Sequence, residues 1–88
     1  MTSSEVAAGG RRYFFHLHDA SGLTEDHEGR LLGGPESART AAIADARAII
    51  ADDARRGVVD LRSRIDVTDD AGAPVARIEF AEAVTVLT

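Results

Sequence analysis

The stretch Arg12-Tyr13-Phe14-Phe15-His16-Leu17-His18-Asp19 constrains the fold more than any other part of the chain. It holds three of the four aromatics and two of the three histidines. Such side chains fit a pleated, half-buried surface, so the stretch predicts a strand. Successive side chains on a strand point to opposite faces. Tyr13, Phe15 and Leu17 therefore share one face, and Phe14, His16 and His18 share the other. The first set is the more apolar and is expected against the core. That leaves Phe14 on the far side, where a tail, a loop or a partner subunit covers it or it stays exposed.

The rest of the chain supplies partners for this strand. Asp19 to Gly22 and Asp26 to Gly29 are Asp-x-x-Gly turns. Leu23-Thr24 and Arg30-Leu31-Leu32 form a short second strand against the first. Gly33-Gly34-Pro35-Glu36 is a helix entrance, with proline and an acid suited to the first turn. Ala38, Ala42, Ile43, Ala46, Ile49 and Ile50 recur at helical spacing, so a helix is expected from Glu36 to Arg56. Gly57 is its stop. On this pattern Ile49 and Ile50 are buried against a sheet. Ile65 to Thr68 and Pro74 to Phe80 form a hairpin around a third such turn, Asp69 to Gly72. Ala83 to Leu87 is apolar and β-branched, and reads as an edge strand or as a pairing segment of a dimer.

The predicted order is β-β-α-β-β, an α+β two-layer sandwich. A helix with one apolar stripe needs one sheet face to bury it, so a small antiparallel sheet carries the helix on one face. Residues 1–10 are small, polar and without periodicity, and are expected to be a disordered tail. Residues 11–88 form a single small α/β domain. A chain of 88 residues buries roughly 60–65% of its unfolded surface, which makes a modest core.

Together these strings resemble a family of short bacterial proteins catalogued only as a domain of unknown function. The resemblance rests on the Arg-Tyr-Phe-Phe-His-Leu opening at Arg12 to Leu17 and the turns at Asp19 and Asp26. It continues through the Ala-rich helix from Ala38 to Ala54, the Ile-x-Val-x-Asp-x-x-Gly hairpin from Ile65 to Gly72, and Phe80 to Val84. It implies the fold and no activity. The layout also looks loosely like the partial ribonuclease-H-like domains of small antitoxins, and fold alone does not carry function.

Composition narrows the chemistry. The chain has no cysteine, which removes disulfides, thiolate metal sites and cysteine nucleophiles. It has no apolar run of signal-peptide or membrane-span length, so a cytoplasmic protein with no membrane association is expected. Net charge is −5, and every basic residue is arginine. Direct nucleic-acid binding driven by phosphate contacts is disfavoured.

His16 and His18, with Asp19 and His27 nearby in sequence, have the residue types of a metal site. The competing reading is that the two strand histidines decorate an exposed face. Asp19, Glu25, Asp26 and Glu28, and then Asp66, Asp69 and Asp70, supply acidic groups without the alternation of a calcium loop. The Asp-x-x-Gly strings are accounted for without a ligand, with Asp capping the turn and Gly taking its special conformation. Ser21, Ser37 and Ser63 lie in no nucleophile elbow, and the pairs Gly9-Gly10 and Gly33-Gly34 make no nucleotide fingerprint. No catalytic residue and no cofactor is expected. Arg55, Arg56, Arg62 and Arg64 could receive a phosphate or an acidic partner, with Asp52, Asp53 and Asp60 placed to neutralise them.

The expected function is a protein-interaction or regulatory binding module without catalysis, acting as a homodimer or on another protein. Phe14, His16, His18, Val84, Val86, Arg55, Arg56 and Arg62 are its candidate contact residues. One alternative is a nucleic-acid-associated regulator of the antitoxin kind, which would need a contiguous arginine surface. Another is a metal-binding or enzymatic domain built on the His16/His18 face.

Overall fold

The computed structural model describes residues 10–88. The expected tail, residues 1–10, lies outside them apart from Gly10. Strands β1 (Arg11–Asp19), β2 (Gly22–Thr24) and β3 (Arg30–Leu32) precede helix α1 (Pro35–Arg55). Strands β4 (Arg64–Thr68) and β5 (Pro74–Glu79) follow, and a single turn of helix, α2 (Phe80–Ala83), comes last. All pairings are antiparallel, and the strand order is β2-β1-β4-β5, with β3 also paired to β1. The α+β sheet with a helix on one face is therefore the observed architecture.

Alternation along β1 sorts its side chains as expected. Tyr13 is buried, and Phe15 and Leu17 pack beside it against the core. Ile65 and Val67 of β4 and Ile78 of β5 complete that face. The helix meets it through Ala38, Ala42 and Ala46, all fully buried. Three alanines at successive turns let the α1 backbone approach the sheet closely. Ile43, Ile49 and Ile50 flank this stripe and are only partly buried, which corrects the expectation that Ile49 and Ile50 are fully enclosed. With alanine at the centre of the contact, the larger side chains have room only along its margins.

Two contacts fasten the helix. Arg30 of β3 places its guanidinium 4.0 Å from the Phe15 ring centroid and pairs with Asp45 of α1. The cation thus roofs the part of Phe15 that the helix leaves open. Arg47 Nε donates to the Ala83 carbonyl at 2.6 Å and ties α2 to α1. The helix ends as predicted. Gly57, at φ +90°, donates to the Ala54 carbonyl and Val58 to the Asp53 carbonyl, the paired bonds of a Schellman stop.

The second strand is in fact two. β2 pairs with one end of β1 and β3 with the other, so residues 25–29 stand opposite residues 14–16. The tail end also differs from expectation. Phe80 leaves the strand, donates its N–H to the Ser63 carbonyl and is buried as the first residue of α2. Ala83 is buried in the same turn, and the segment after it forms no strand. Phe80 and Ala83 are buried in this turn, and Val84 to Leu87 pair with no strand among the described residues. No helix among the described residues is long and apolar enough to cross a membrane.

Close helix approach sets the first expected outcome. Ala42→Leu should cost about 1–3 kcal/mol by overpacking, whereas Ile49→Ala should cost about 1–2 kcal/mol, below the range for full burial. Urea denaturation measures both, and an unchanged Ala42→Leu midpoint would contradict the close contact.

Candidate functional site

Among the described residues the face of the sheet away from α1 has no second layer. Side chains of β1, β4 and β5 meet on it in a register that places His16 opposite Asp66, His18 opposite Arg64, and Asp66 opposite Arg77. Asp66 is the hub. Its Oδ2 accepts from Arg64 Nε at 3.2 Å and lies 3.1 Å from His18 Nε2. Its Oδ1 accepts from Arg77 Nε at 3.1 Å. Arg64 also reaches His18 Nδ1 with Nη2 at 3.4 Å. Arg64 can only donate, so His18 Nδ1 accepts in this pattern and Nε2 is the nitrogen that faces Asp66. Partial burial works against the Asp66 charge, but the hydrogen bonds and positive charges of Arg64 and Arg77 outweigh it. They hold the carboxyl below its ordinary range.

His16 belongs to a second cluster built around the break between β2 and β3. In an unbroken ladder the Phe15 N–H would meet a carbonyl. Here it donates to Asp26 Oδ2 at 3.0 Å, so a side chain stands in for the missing strand. Asp26 Oδ1 accepts from the Glu28 and Gly29 amides, each at 3.1 Å. The Asp26 amide in turn donates to His16 Nδ1 at 3.2 Å, which leaves His16 Nε2 to donate to Thr68 Oγ1 at 3.1 Å. Desolvation opposes ionisation of Asp26, yet the amides of Phe15, Gly29 and Glu28 prevail and lower its pKa. Gly29 is required here. It sits at φ +69°, and a Cβ would lie 2.8 Å from the Tyr13 carbonyl oxygen and from Arg12 Cγ.

Phe14 lies over this loop. A Cβ on Gly29 would come within 3.0 Å of the Phe14 ring, and Phe14 stacks on His16 with centroids 6.5 Å apart. Phe14 is half-buried, so its cover is supplied within the chain and does not call for a partner subunit.

The other expected site residues separate. Asp19 caps its own turn, accepting from the Ser21 amide and hydroxyl at 2.9 and 2.7 Å. The Ser21 hydroxyl is the main reason that its pKa is lowered. Asp69 caps the hairpin turn in the same way, through Ala71 and Ala73. His27 stands in the loop, 3.9 Å from Glu25 and away from the other two histidines' contacts. Among the described residues no three His, Asp or Glu side chains converge to hold a metal ion. Arg56 is paired with Asp52 and Asp53, and Arg62 with Asp60. Arg55 is exposed at the helix end. Arg64 departs from this helix-end group and turns to the open face. Val84 is half-buried, while Val86 is 61% exposed.

In sequence Asp66 is one of several clustered acidic residues, and Arg77 does not stand out. Their cross-strand pairing depends on the hairpin register, which shifts at Val67/Thr68. The available signal was alternation alone: Arg64, Asp66 and Thr68 fall on the face opposite Ile65 and Val67. Beside this network an open cleft of about 580 Å³ runs between the β1–β2 turn and the loop before β4, lined by His18, Asp19, Leu23, Asp60, Arg62 and Arg64.

Comparison with known proteins assigns no activity. Residues 12–81 match the family described as "Domain of unknown function (DUF6894)", and the chain belongs to that family. Neither the curated proteins nor the solved structures contain a significant match.

The Asp26 cluster predicts a pH-dependent stability. A depressed folded-state pKa contributes stability that is present above the unfolded-state value and is lost as pH falls through the folded one. Asp26→Asn cannot accept all three amides, so it should cost about 1–3 kcal/mol at neutral pH. Its difference from wild type should shrink towards zero well below about pH 4, where both side chains are uncharged. Urea melts across that range measure the gap. A pH-independent gap would show that the carboxylate charge plays no part.

Proposed function

We propose that this chain is a small cytoplasmic binding module that holds a protein partner against its uncovered sheet face and performs no catalysis of its own. The observation that carries the reading is the Arg64–Asp66–Arg77–His18 network. These side chains are fixed by one another on three paired strands, with Asp66 only 24% exposed at their centre. Donors held on rigid elements lose little freedom on binding, which favours recognition. Arginine is also enriched where proteins meet.

Direct nucleic-acid binding is disfavoured on the same grounds of charge. The helix-end arginines are engaged locally, Arg56 by two aspartates and Arg62 by one. They do not extend the open-face arginines into a broad basic surface on a chain of net charge −5.

Self-association is the second reading. Among the described residues β5 pairs with β4 alone, and Val86 and Leu87 are 61% and 89% exposed. An open strand edge with apolar neighbours is a ready pairing surface. Sedimentation over a wide concentration range tests the homodimer. A strict monomer at the highest concentration would exclude it.

Affinity capture from the native host with mass spectrometry tests the main reading. Wild type and the exposed-helix control Arg39→Ala should retain a common partner, and the double variant Arg64→Ala/Arg77→Ala should lose it. Equal capture by all three proteins, or no specific capture by any, would overturn the assignment of this face.

A further inference from the structure

On the uncovered face two guanidinium groups share one carboxylate. Arg64 and Arg77 each spend their Nε–H on Asp66, one on each oxygen. A guanidinium has five N–H donors in a fixed plane. Arg64 commits one further donor to His18, and the Nη groups of Arg77 meet no acceptor among the described residues. Arg77 is 59% exposed and Asp66 24%, so the carboxylate lies below and the free donors above. We propose that these two arginines form a receptor for a carboxylate group, an aspartate or glutamate side chain on an acidic segment of the partner protein.

Charge bears on that choice. The two guanidiniums are balanced by Asp66 and by Glu79, which faces Arg64 across the ladder and caps the first turn of α2. The free donors, and not a surplus of charge, therefore hold the group. A dianionic phosphate would bring more negative charge beside Asp66 and Glu79 than a carboxylate does.

Geometry supports it too. Asp66 has already fixed both arginine side chains, so rotamer freedom is surrendered on folding and not on binding. The planar fork presents paired N–H groups at the spacing of two carboxylate oxygens. Lysine at either position would supply charge without that pairing.

This inference rests on the proposed protein-binding face and names what the face recognises. The test is an NMR titration of the full chain, following the arginine Nε–H signals at constant ionic strength. The probes are a glutamate hexapeptide, a glutamine hexapeptide and inorganic phosphate. The glutamate peptide should shift Arg64 and Arg77 saturably. Arg77→Gln and Arg77→Lys should each weaken it by about tenfold or more, because both lose the fork. Arg77 is mostly exposed, and backbone spectra of both variants verify that the fold is retained.

No saturable shift with the glutamate peptide overturns the receptor. So does equal binding by Arg77→Lys, which would reduce the effect to net charge, or an equal response to the glutamine peptide. Tighter binding of phosphate overturns the carboxylate assignment. If the Arg64→Ala/Arg77→Ala variant loses a captured partner while the peptide does not bind, the binding face stands and the carboxylate receptor falls.

Discussion

One helix lies against one face of the sheet, and the other face must therefore be stable in water through its own side chains. This constraint organises the molecule. On the helix side Ala38, Ala42 and Ala46 bring α1 close enough to seal Tyr13, Val67 and Ile78. On the open side the alternate positions of the same strands carry His16, His18, Arg64, Asp66 and Arg77. A face of that composition tolerates solvent because its polar groups satisfy one another. Among the described residues no buried side-chain polar atom lacks a partner. The division also leaves the open face as the one broad surface on which rigid strands hold several donors at once.

Aspartate solves a recurring backbone problem in this chain. Asp19, Asp26 and Asp69 each begin an Asp-x-x-Gly string, and Gly22, Gly29 and Gly72 all take a positive φ. At Asp19 and Asp69 the carboxylate caps a turn by accepting nearby amides. At Asp26 the same string does more. Its carboxylate also takes the N–H of Phe15 from a different strand. A buried amide without an acceptor is costly, so this contact permits the edge of the sheet to be interrupted. The break in turn removes a long, flat edge at β1, which is one way that a sheet avoids unwanted pairing. β5 is the edge on the other side of the sheet, and it is the one that the self-association reading uses.

The acidic balance of the chain is unevenly spent. Asp52, Asp53 and Asp60 hold Arg56 and Arg62 near the helix end. Asp66 holds two arginines by itself, on the face that has no second layer among the described residues. Membership of a family of unknown function assigns no chemistry to these residues. His18 and His16 are each committed to fixed partners on both ring nitrogens.

The sequence by itself determined the elements and their inner faces. Period-two alternation in Tyr13, Phe15 and Leu17, helical recurrence of Ala38, Ala42 and Ala46, and glycine at position 57 are local signals, and each was met in the fold. Local signals also identified the three aspartate turns. What they could not determine was which distant groups meet. His16 and His18 looked like a pair because they are two residues apart, yet one binds the Asp26 loop and the other binds Asp66. Asp66 and Arg77 come together only through strand register, and the irregularity at Val67/Thr68 hides that register from sequence spacing. The end of the chain turned on competition of the same kind. Val84 to Leu87 have the propensity for a strand, but burial of Phe80 and Ala83 against α1 closes the chain in a helical turn instead. Propensity and periodicity act over neighbouring residues, whereas hydrogen-bond partners and burial depend on the packing of the whole chain.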